Sequence, residues 1–374
     1  MRVLHLHASV LYGGVETFLF TLARETHLTP DVEHIFTACF ESRYTNEIRS
    51  TNHSVHMMGQ ARFSQPWTIL QTRLRLRKLI QQYKPDIAIC HLCKPLFLYG
   101  AELKRCGVPS VLYLHAPLAP GLFENLCKRT PPNHMIGVSK HTLQTGHQLL
   151  FPDVEGTVIN YPMPWNANRF DCDDEDIVAF RKEVNTPEDA VVIVQATRMN
   201  AWKGHKELLD ALSLMKHIPN WVMWIIGGPQ KASEELYFEN LITVAKDYGI
   251  SDRVMFLGQQ KNVPQFLAAA DVYCQANTGS EGFSLSFTEA FTAGLPIVTT
   301  DIGSAQEIVD PRVGILTPVG DKEALATALI SLTENSELRR SMSRNTRAWI
   351  KGLSDTNQQI CLLRETLAKV CKST

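Results

Sequence analysis

The sequence predicts an α/β fold made of two doubly wound parallel-sheet domains, and three observations carry that prediction. Short, uniformly apolar runs recur, such as Asp86-Ile87-Ala88-Ile89-Cys90 and Ser110-Val111-Leu112-Tyr113-Leu114, and suit strands covered on both faces. Amphipathic helical stretches separate them. The alternation lapses once, around residues 160–164 and the acidic stretch 171–176, and then begins again. A chain of 374 residues is long for one core and suits two.

In the first half, residues 3–6 form the opening strand. Tyr12-Gly13-Gly14-Val15-Glu16 then turns into a helix whose apolar stripe is Val15, Phe18, Leu19, Leu22 and Ala23. Strands follow at 86–90, 110–114 and 134–138. The second half predicts strands at 190–195, 221–226, 254–257, 272–274 and 296–299, with helices at 207–215 and 234–248. Ile360, Leu363, Leu367 and Val370 mark a last amphipathic helix that packs back on the first half. The predicted boundaries are therefore 1–164, 165–350 and 351–374. Two such halves place a cleft at the carboxyl ends of both sheets, where ligands of this architecture bind.

Composition narrows the function. With 44% hydrophobic and 20% charged residues the chain reads as a soluble globular protein. A formal net charge of -1 gives nucleic acid no electrostatic footing. No apolar run reaches the roughly 18–20 residues that cross a bilayer. The opening Met1-Arg2-Val3-Leu4-His5-Leu6-His7 is too short and too histidine-rich for a secretory signal. Nine cysteines without a framework point to a reducing cytoplasm.

The most informative segment is Glu281-Gly282-Phe283-Ser284-Leu285-Ser286-Phe287-Thr288-Glu289, followed by a helix, a Gly294 stop and a strand. On one helix, two carboxylates eight residues apart would share a face about 12 Å apart. A helix beginning near Ser284 offers free amides as an anion site with Glu281 beside it. Arg198 and Lys203, in a loop after the strand at 190–195, suit a diphosphate clamp; solvated loop cations are the bland alternative. Gly13-Gly14 lets backbone approach a phosphate at a helix terminus, although the same pair also serves as a plain turn. His115 ends a strand on the cleft side, and His91 occupies the analogous place, so position alone does not select between them.

Other motifs read blandly. Cys90-His91-Leu92-Cys93 lacks a second ligand pair for zinc. Asp171-Cys172-Asp173 has the D-x-D form of a cation-diphosphate motif but precedes a helix, where acidic residues serve the N-terminus. No metal or cofactor is expected. Arg73, Arg75, Arg77 and Lys78 read as a solvated basic helix face, with anionic lipid as the other reading and hence a peripheral membrane contact.

Taken together these motifs resemble the GT4-type retaining glycosyltransferases, whose GT-B fold sets two Rossmann-like domains face to face. The resemblance spans nearly the whole chain and is strongest from Glu281 through Glu289 to Gly294-Leu295-Pro296, with Arg198 and Lys203-Gly204 before it. It implies a nucleotide-sugar donor, with UDP-sugar first, and transfer of a hexose or N-acetylhexosamine to an acceptor hydroxyl. By resemblance Arg198 and Lys203 bind the diphosphate, assisted by Gly14, Phe283, Ser284 and Leu285. Glu289 takes the ribose, Glu281 the sugar hydroxyls, His115 the sugar near the reacting carbon, and backbone near Gly258 the base. Position 284 is Ser where the family often has Gly, and 286 is Ser where Pro is frequent, which bears on donor choice. The resemblance implies front-face attack, a metal-free site and a cytoplasmic enzyme, peripheral to the membrane if the basic face binds lipid, in cell-envelope, glycolipid or small-molecule glycoside synthesis. GDP-mannose remains an alternative donor. A UDP-sugar epimerase, a non-catalytic sugar-nucleotide-binding subunit and a pyridoxal-phosphate phosphorylase remain alternative functions. Glu281→Gln or Lys203→Ala is expected to abolish transfer while leaving the thermal transition nearly unchanged.

Overall fold

The computed structural model describes residues 1–8, 13–62, 64–162, 170 and 172–373. The chain divides into two compact units, Met1–Pro164 together with Ser354–Thr374, and Trp165–Leu353. Met163, Pro164 and Asp171, which belong to the predicted joint and the D-x-D reading, lie outside the described residues, as does Tyr12.

The first unit carries strands β1 (Arg2–Leu6), β2 (Glu33–Ala38), β3 (Val55–Met57), β4 (Ile87–His91), β5 (Ser110–Leu114), β6 (His134–Gly137) and β7 (Gly156–Val158). They form one sheet in the order β3-β2-β1-β4-β5-β6-β7, with every pairing parallel. β4 and β5 are buried at every residue, which is why their apolar runs stood out in the sequence. β2, β3 and β7 carry no such signal. β2 opens on exposed Glu33 and half-buried His34, and β3 and β7 are three-residue strands at the two edges.

The helix Gly14–Arg24 buries Val15, Phe18, Leu19, Leu22 and Ala23. The last helix, Thr356–Ser373, buries Ile360, Leu363, Leu367 and Val370 within this same unit. Its outer face is tied by Arg364 to Asp31 (2.7 Å) and by Lys369 to Glu155 (2.5 Å).

The second unit holds β8 (Val191–Ala196), β9 (Trp221–Ile226), β10 (Val254–Gly258), β11 (Val272–Gln275), β12 (Ile297–Thr300) and β13 (Gly314–Thr317), in the order β10-β9-β8-β11-β12-β13. Trp221, Met223 and Ile225 on β9 pack with Leu208, Leu212 and Leu329 in its core. The helix Asp174–Glu183 has Asp173 at its N-cap without a side-chain capping bond, and Asp174, Glu175 and Asp176 fill its first turn. The acidic run therefore acts on the helix dipole rather than through a cap.

Both sheets reverse their strand order once, between β1 and β4 and between β8 and β11. In doubly wound sheets the crevice at the carboxyl end of that reversal is where ligands sit. Among the described residues no helix is long and apolar enough to cross a membrane.

Candidate functional site

In the second unit Lys203 and Glu281 meet at this reversal, whereas Gly258 closes the edge strand β10. β8 runs into a loop that ends in one 3-10 turn, Ala201–Lys203, and Gly204 then adopts φ +73° before the helix His205–Leu214. A Cβ at 204 would collide with the carbonyl of Ala276, so glycine is required for space as well as for φ. That tight passage turns Lys203 inward, to 7% exposure. Its ammonium forms an ion pair with Glu281 and lies 4.3 Å from the centre of the Trp202 ring. Burial pulls the Lys203 ammonium below its ordinary value, and the Glu281 carboxylate opposes that pull. Arg198, in contrast, is exposed and makes no side-chain hydrogen bond or ion pair among the described residues.

Glu281 is held from three sides. Besides Lys203, the amides of Gln275 and Asn277 each donate to its Oε2 at 3.2 Å. Its main-chain carbonyl accepts from the Ser304 amide at 3.2 Å, across a turn made by Gly303 at φ +66°. Gln275 uses its whole amide. It donates to Asn277 as well and accepts from the hydroxyls of Tyr273 (3.0 Å) and Ser286 (3.1 Å). Ser286 meets Ser284 at 3.0 Å, so the two positions where this chain departs from the family pattern join one network that ends on Glu281.

The helix Leu285–Ala293 starts after Ser284, whose side chain makes no capping bond. Glu281 thus precedes the first helical residue by four positions. The expectation that Glu281 and Glu289 share one helix face is corrected: Glu289 lies on the second turn, and Glu281 stands in a loop fixed by Lys203, Gln275 and Asn277. Phe283 and Ser284 are buried, and Leu285 and Glu289 are half-buried. Gly258 closes β10 at φ +65° and accepts from the Gly227 amide at 2.8 Å. A Cβ there would meet nothing within 4 Å, so its glycine answers to backbone conformation alone.

In the first unit, Gly13 caps the helix Gly14–Arg24 and its amide donates to Glu16 Oε2 at 2.7 Å. The other oxygen of Glu16 accepts from His7 Nε2 at 2.7 Å, with both side chains buried. This helix pole therefore already faces a carboxylate of the chain itself. Gly14 has a second structural duty, because a Cβ there would lie 3.0 Å from the Tyr161 hydroxyl. His115 is buried and both its ring nitrogens are engaged: Nε2 with His91 (2.8 Å) and Nδ1 with the Tyr161 hydroxyl (3.0 Å). Contact with a ligand through a ring nitrogen requires one of these bonds to be exchanged. Beside it a cavity of about 450 Å³ opens at the carboxyl ends of β4 and β5, lined by Leu92, Lys94, Ala116, Leu118 and Phe123. Leu92 holds φ +76°, a strained conformation for a branched side chain.

The basic face of the helix Pro66–Tyr83 leaves Arg75 and Lys78 exposed and Arg73 and Arg77 half-buried. Arg73 donates to the Leu98 carbonyl, Arg75 to the Met58 carbonyl and Arg77 to Glu102, so three of its four cations fasten the helix Pro66–Tyr83 to its neighbours. Among the described residues no group of three or more His, Cys, Asp or Glu side chains is placed to hold a metal ion. The sequence reading missed Gln275 and Asn277, whose only signal was amides directly after a buried strand. It also missed His5 and His34, discussed below.

The family model for glycosyl transferases group 1 matches residues 176–349, and that for glycosyltransferase family 4 matches residues 12–160. The chain is 29% identical over 164 residues to the lipopolysaccharide core biosynthesis glycosyltransferase LpsE of Rhizobium meliloti, covering 44% of this chain and 45% of that protein. It is 28% identical over 294 residues to the GDP-mannose-dependent alpha-(1-6)-phosphatidylinositol monomannoside mannosyltransferase of Mycolicibacterium smegmatis, covering 74% of each. The chain spans about half or less of the length of the first curated relatives it matches, LpsE among them. Among solved structures, Anabaena Alr3699/HepE in complex with UDP superposes with a TM-score of 0.86 at 23% identity, covering 99% of this chain and 100% of that one. At that identity the likeness is one of fold. Two family models in tandem over most of the chain, on two parallel sheets of this strand order, place it in the GT4-type glycosyltransferases with the GT-B fold.

Proposed function

We propose that the chain is a retaining glycosyltransferase that transfers a hexose or N-acetylhexosamine from a UDP-sugar to an acceptor hydroxyl. The observation that carries this reading is the ion pair of buried Lys203 with half-buried Glu281 at the strand reversal of the second sheet, buttressed by Gln275 and Asn277. Exposed Arg198 and the N-terminus of the helix Leu285–Ala293 flank it. Such an array suits a diphosphate: one exposed cation, one buried cation and the free backbone amides of a helix N-terminus to take charge as the nucleotide leaves. Glu281, fixed in a loop, is a hydrogen-bond acceptor for sugar hydroxyls, and Glu289 one turn into the helix is an acceptor for ribose. The charge on the diphosphate is then met without a metal ion. The acceptor hydroxyl attacks on the face the diphosphate leaves, and a phosphate oxygen takes its proton, so the anomeric configuration is retained. The first unit's cavity beside Leu92 and Ala116 is the acceptor site in this reading.

A mannosyl donor is the second reading, favoured by the relative that is GDP-mannose-dependent by name and matched over 74% of its length. A panel of sugar nucleotides, scored for thermal stabilisation and for release of UDP or GDP, separates the two. One donor should give both signals, in the presence of a chelator as well, and the product's anomeric configuration read by NMR should match the donor's. Lys203→Ala and Glu281→Gln should abolish release; full turnover in either variant would sink the site assignment. The geometry also revises the expected stability of these variants. Lys203→Ala removes an ion pair whose carboxylate stays partly exposed and bonded to Gln275 and Asn277, so it should destabilise by about 1–2 kcal/mol rather than leave unfolding unchanged.

A further inference from the structure

Four histidines cross one face of the first sheet in an unbroken line. His34 Nδ1 meets His5 Nε2 at 2.9 Å, and His5 Nδ1 meets His91 Nε2 at 3.1 Å. His91 Nδ1 meets His115 Nε2 at 2.8 Å, and His115 Nδ1 meets the Tyr161 hydroxyl at 3.0 Å. Register explains the line. His34 pairs with Val3, two residues before His5, and His5 pairs with Ile89, two residues before His91. His91 pairs with Tyr113, two residues before His115. Each ring thus lies one strand over and two residues further toward the carboxyl edge, always on the same face. The line runs from half-buried His34 to buried Tyr161, whose hydroxyl rests against Gly14. Phe36 covers His5, and Phe18 covers His91 and His115.

Burial keeps His5, His91 and His115 well below the usual histidine value, and His34 falls to about 4, so all four rings are neutral near pH 7. A neutral imidazole has one N–H donor and one bare acceptor nitrogen. In this line every contact joins an Nδ1 to an Nε2, up to the last, which joins Nδ1 to a hydroxyl. Only two assignments make every bond. In one, each ring is protonated at Nδ1 and Tyr161 accepts from His115. In the other, each ring is protonated at Nε2 and Tyr161 donates to His115. A mixed assignment sets two donors or two bare acceptors against each other in a dry interior, which costs more than either uniform state.

We propose that His34, His5 and His91 are positioning residues that act as a tautomeric relay, setting from the half-buried end which nitrogen of His115 carries its proton, and through it whether the Tyr161 hydroxyl beside Gly14 gives or receives a hydrogen bond. In the Nδ1–H state the Tyr161 hydroxyl accepts from His115, and in the Nε2–H state it donates to His115. Reversal from the first state to the second takes one proton from solvent at His34 and releases one from Tyr161, so charge balances. The relay concerns the same unit as the proposed acceptor site, but its existence does not depend on the transfer reading.

The test forces the far end. A carboxylate at position 34 only accepts and a lysine only donates, so His34→Glu should fix Nε2–H and His34→Lys should fix Nδ1–H along the line. The full-length protein labelled with 15N-histidine reports both nitrogens of each ring, assigned by single His→Gln variants. Opposite tautomers of His115 in the two variants, three rings from the substitution, support the relay. The same tautomer of His115 in both overturns it. Should either variant fail to fold, Tyr161→Phe tests the other end. It leaves His115 Nδ1 without a partner, and a bare buried nitrogen is tolerated better than an orphaned N–H. His5 should then be protonated at Nε2, and protonation at Nδ1 of His5 overturns the proposal. Neither result bears on whether Lys203→Ala abolishes turnover, so the two proposals fail separately.

Discussion

Mild acid should weaken the first unit far more than the second before the carboxylates titrate. His5 and His91 are essentially inaccessible and His115 is 7% exposed, and burial holds each far below the ordinary histidine value. The charges acting on them are those of other histidines, His34 on His5, His115, His5 and His7 on His91, and His7 on His115, and all push the same way. With folded-state values below the unfolded value of about 6.5, the unfolded chain binds more protons as pH falls. Their contribution is therefore complete above about pH 6.5 and is lost below it. Between pH 7.5 and 5.5 each ring loses about 1.4 kcal/mol, the free energy of one pKa unit. With His34, itself held at about 4, the four rings of the line together lose about 5–6 kcal/mol, a large share of a domain's usual 5–15 kcal/mol.

The second unit supplies the internal control. There the buried histidine is His205, pushed down to about 4 by burial and by Lys203, so that unit should lose only about 1.4 kcal/mol over the same interval. Urea titrations at pH 7.5 and 5.5, sampled by brief proteolysis and resolved peptide by peptide, give a midpoint for each unit. The midpoint of the first unit should fall at least about four times as far as that of the second. Equal displacements would refute the claim that the rings are held neutral by the fold, and with it the basis for two uniform tautomeric states.

Two further outcomes follow from packing. Leu367→Ala, at 1% exposure in the helix Thr356–Ser373, should destabilise the first unit by about 2–5 kcal/mol in urea unfolding, whereas Arg364→Ala, which removes an exposed pair with Asp31, should barely shift the midpoint. Gly204→Ala should cost more than the roughly 1–3 kcal/mol of left-handed strain because of the Ala276 carbonyl, and should weaken donor release by displacing Lys203. Gly258→Ala, with the same sign of φ and open space, should cost only about 1 kcal/mol.

What was legible in the sequence follows what each residue is buried against. β4, β5 and β9 are buried along their whole length and mostly apolar because both faces are covered, and they were found to within a residue. β3 and β7 are short edges with half-buried residues, so neither alternation nor a run marks them. Glu281 and Lys203 were legible as a motif, but 78 residues separate them and their ion pair was not. Nothing local in Lys203 says that it turns inward; the Gly204 passage against Ala276 decides it. The helix start near Ser284 was legible, and it already sets Glu281 outside the helix that carries Glu289; what the sequence did not show is that Glu281 is fixed there by Lys203, Gln275 and Asn277.

The histidines show a different limit. His5 and His7 counted against a signal peptide and His91 against a unique role for His115, each weighed on its own strand. Their meaning lies in register, which the sequence does not print: a parallel sheet in the order β2-β1-β4-β5 turns four scattered residues into one line. The two strand reversals of this protein then differ in kind. The second is polarised by charge, with Lys203 against Glu281, and suits a ligand that brings its own negative charge. The first is lined by neutral rings and by a Glu16 already bound to His7 and Gly13, so its hydrogen bonds can reverse direction at little electrostatic cost. A site that must hold a diphosphate needs fixed charge, whereas a site that handles a hydroxyl gains from groups that both give and take a proton. The same strand order supports both because topology fixes where the strands end and leaves the chemistry to the residues placed there.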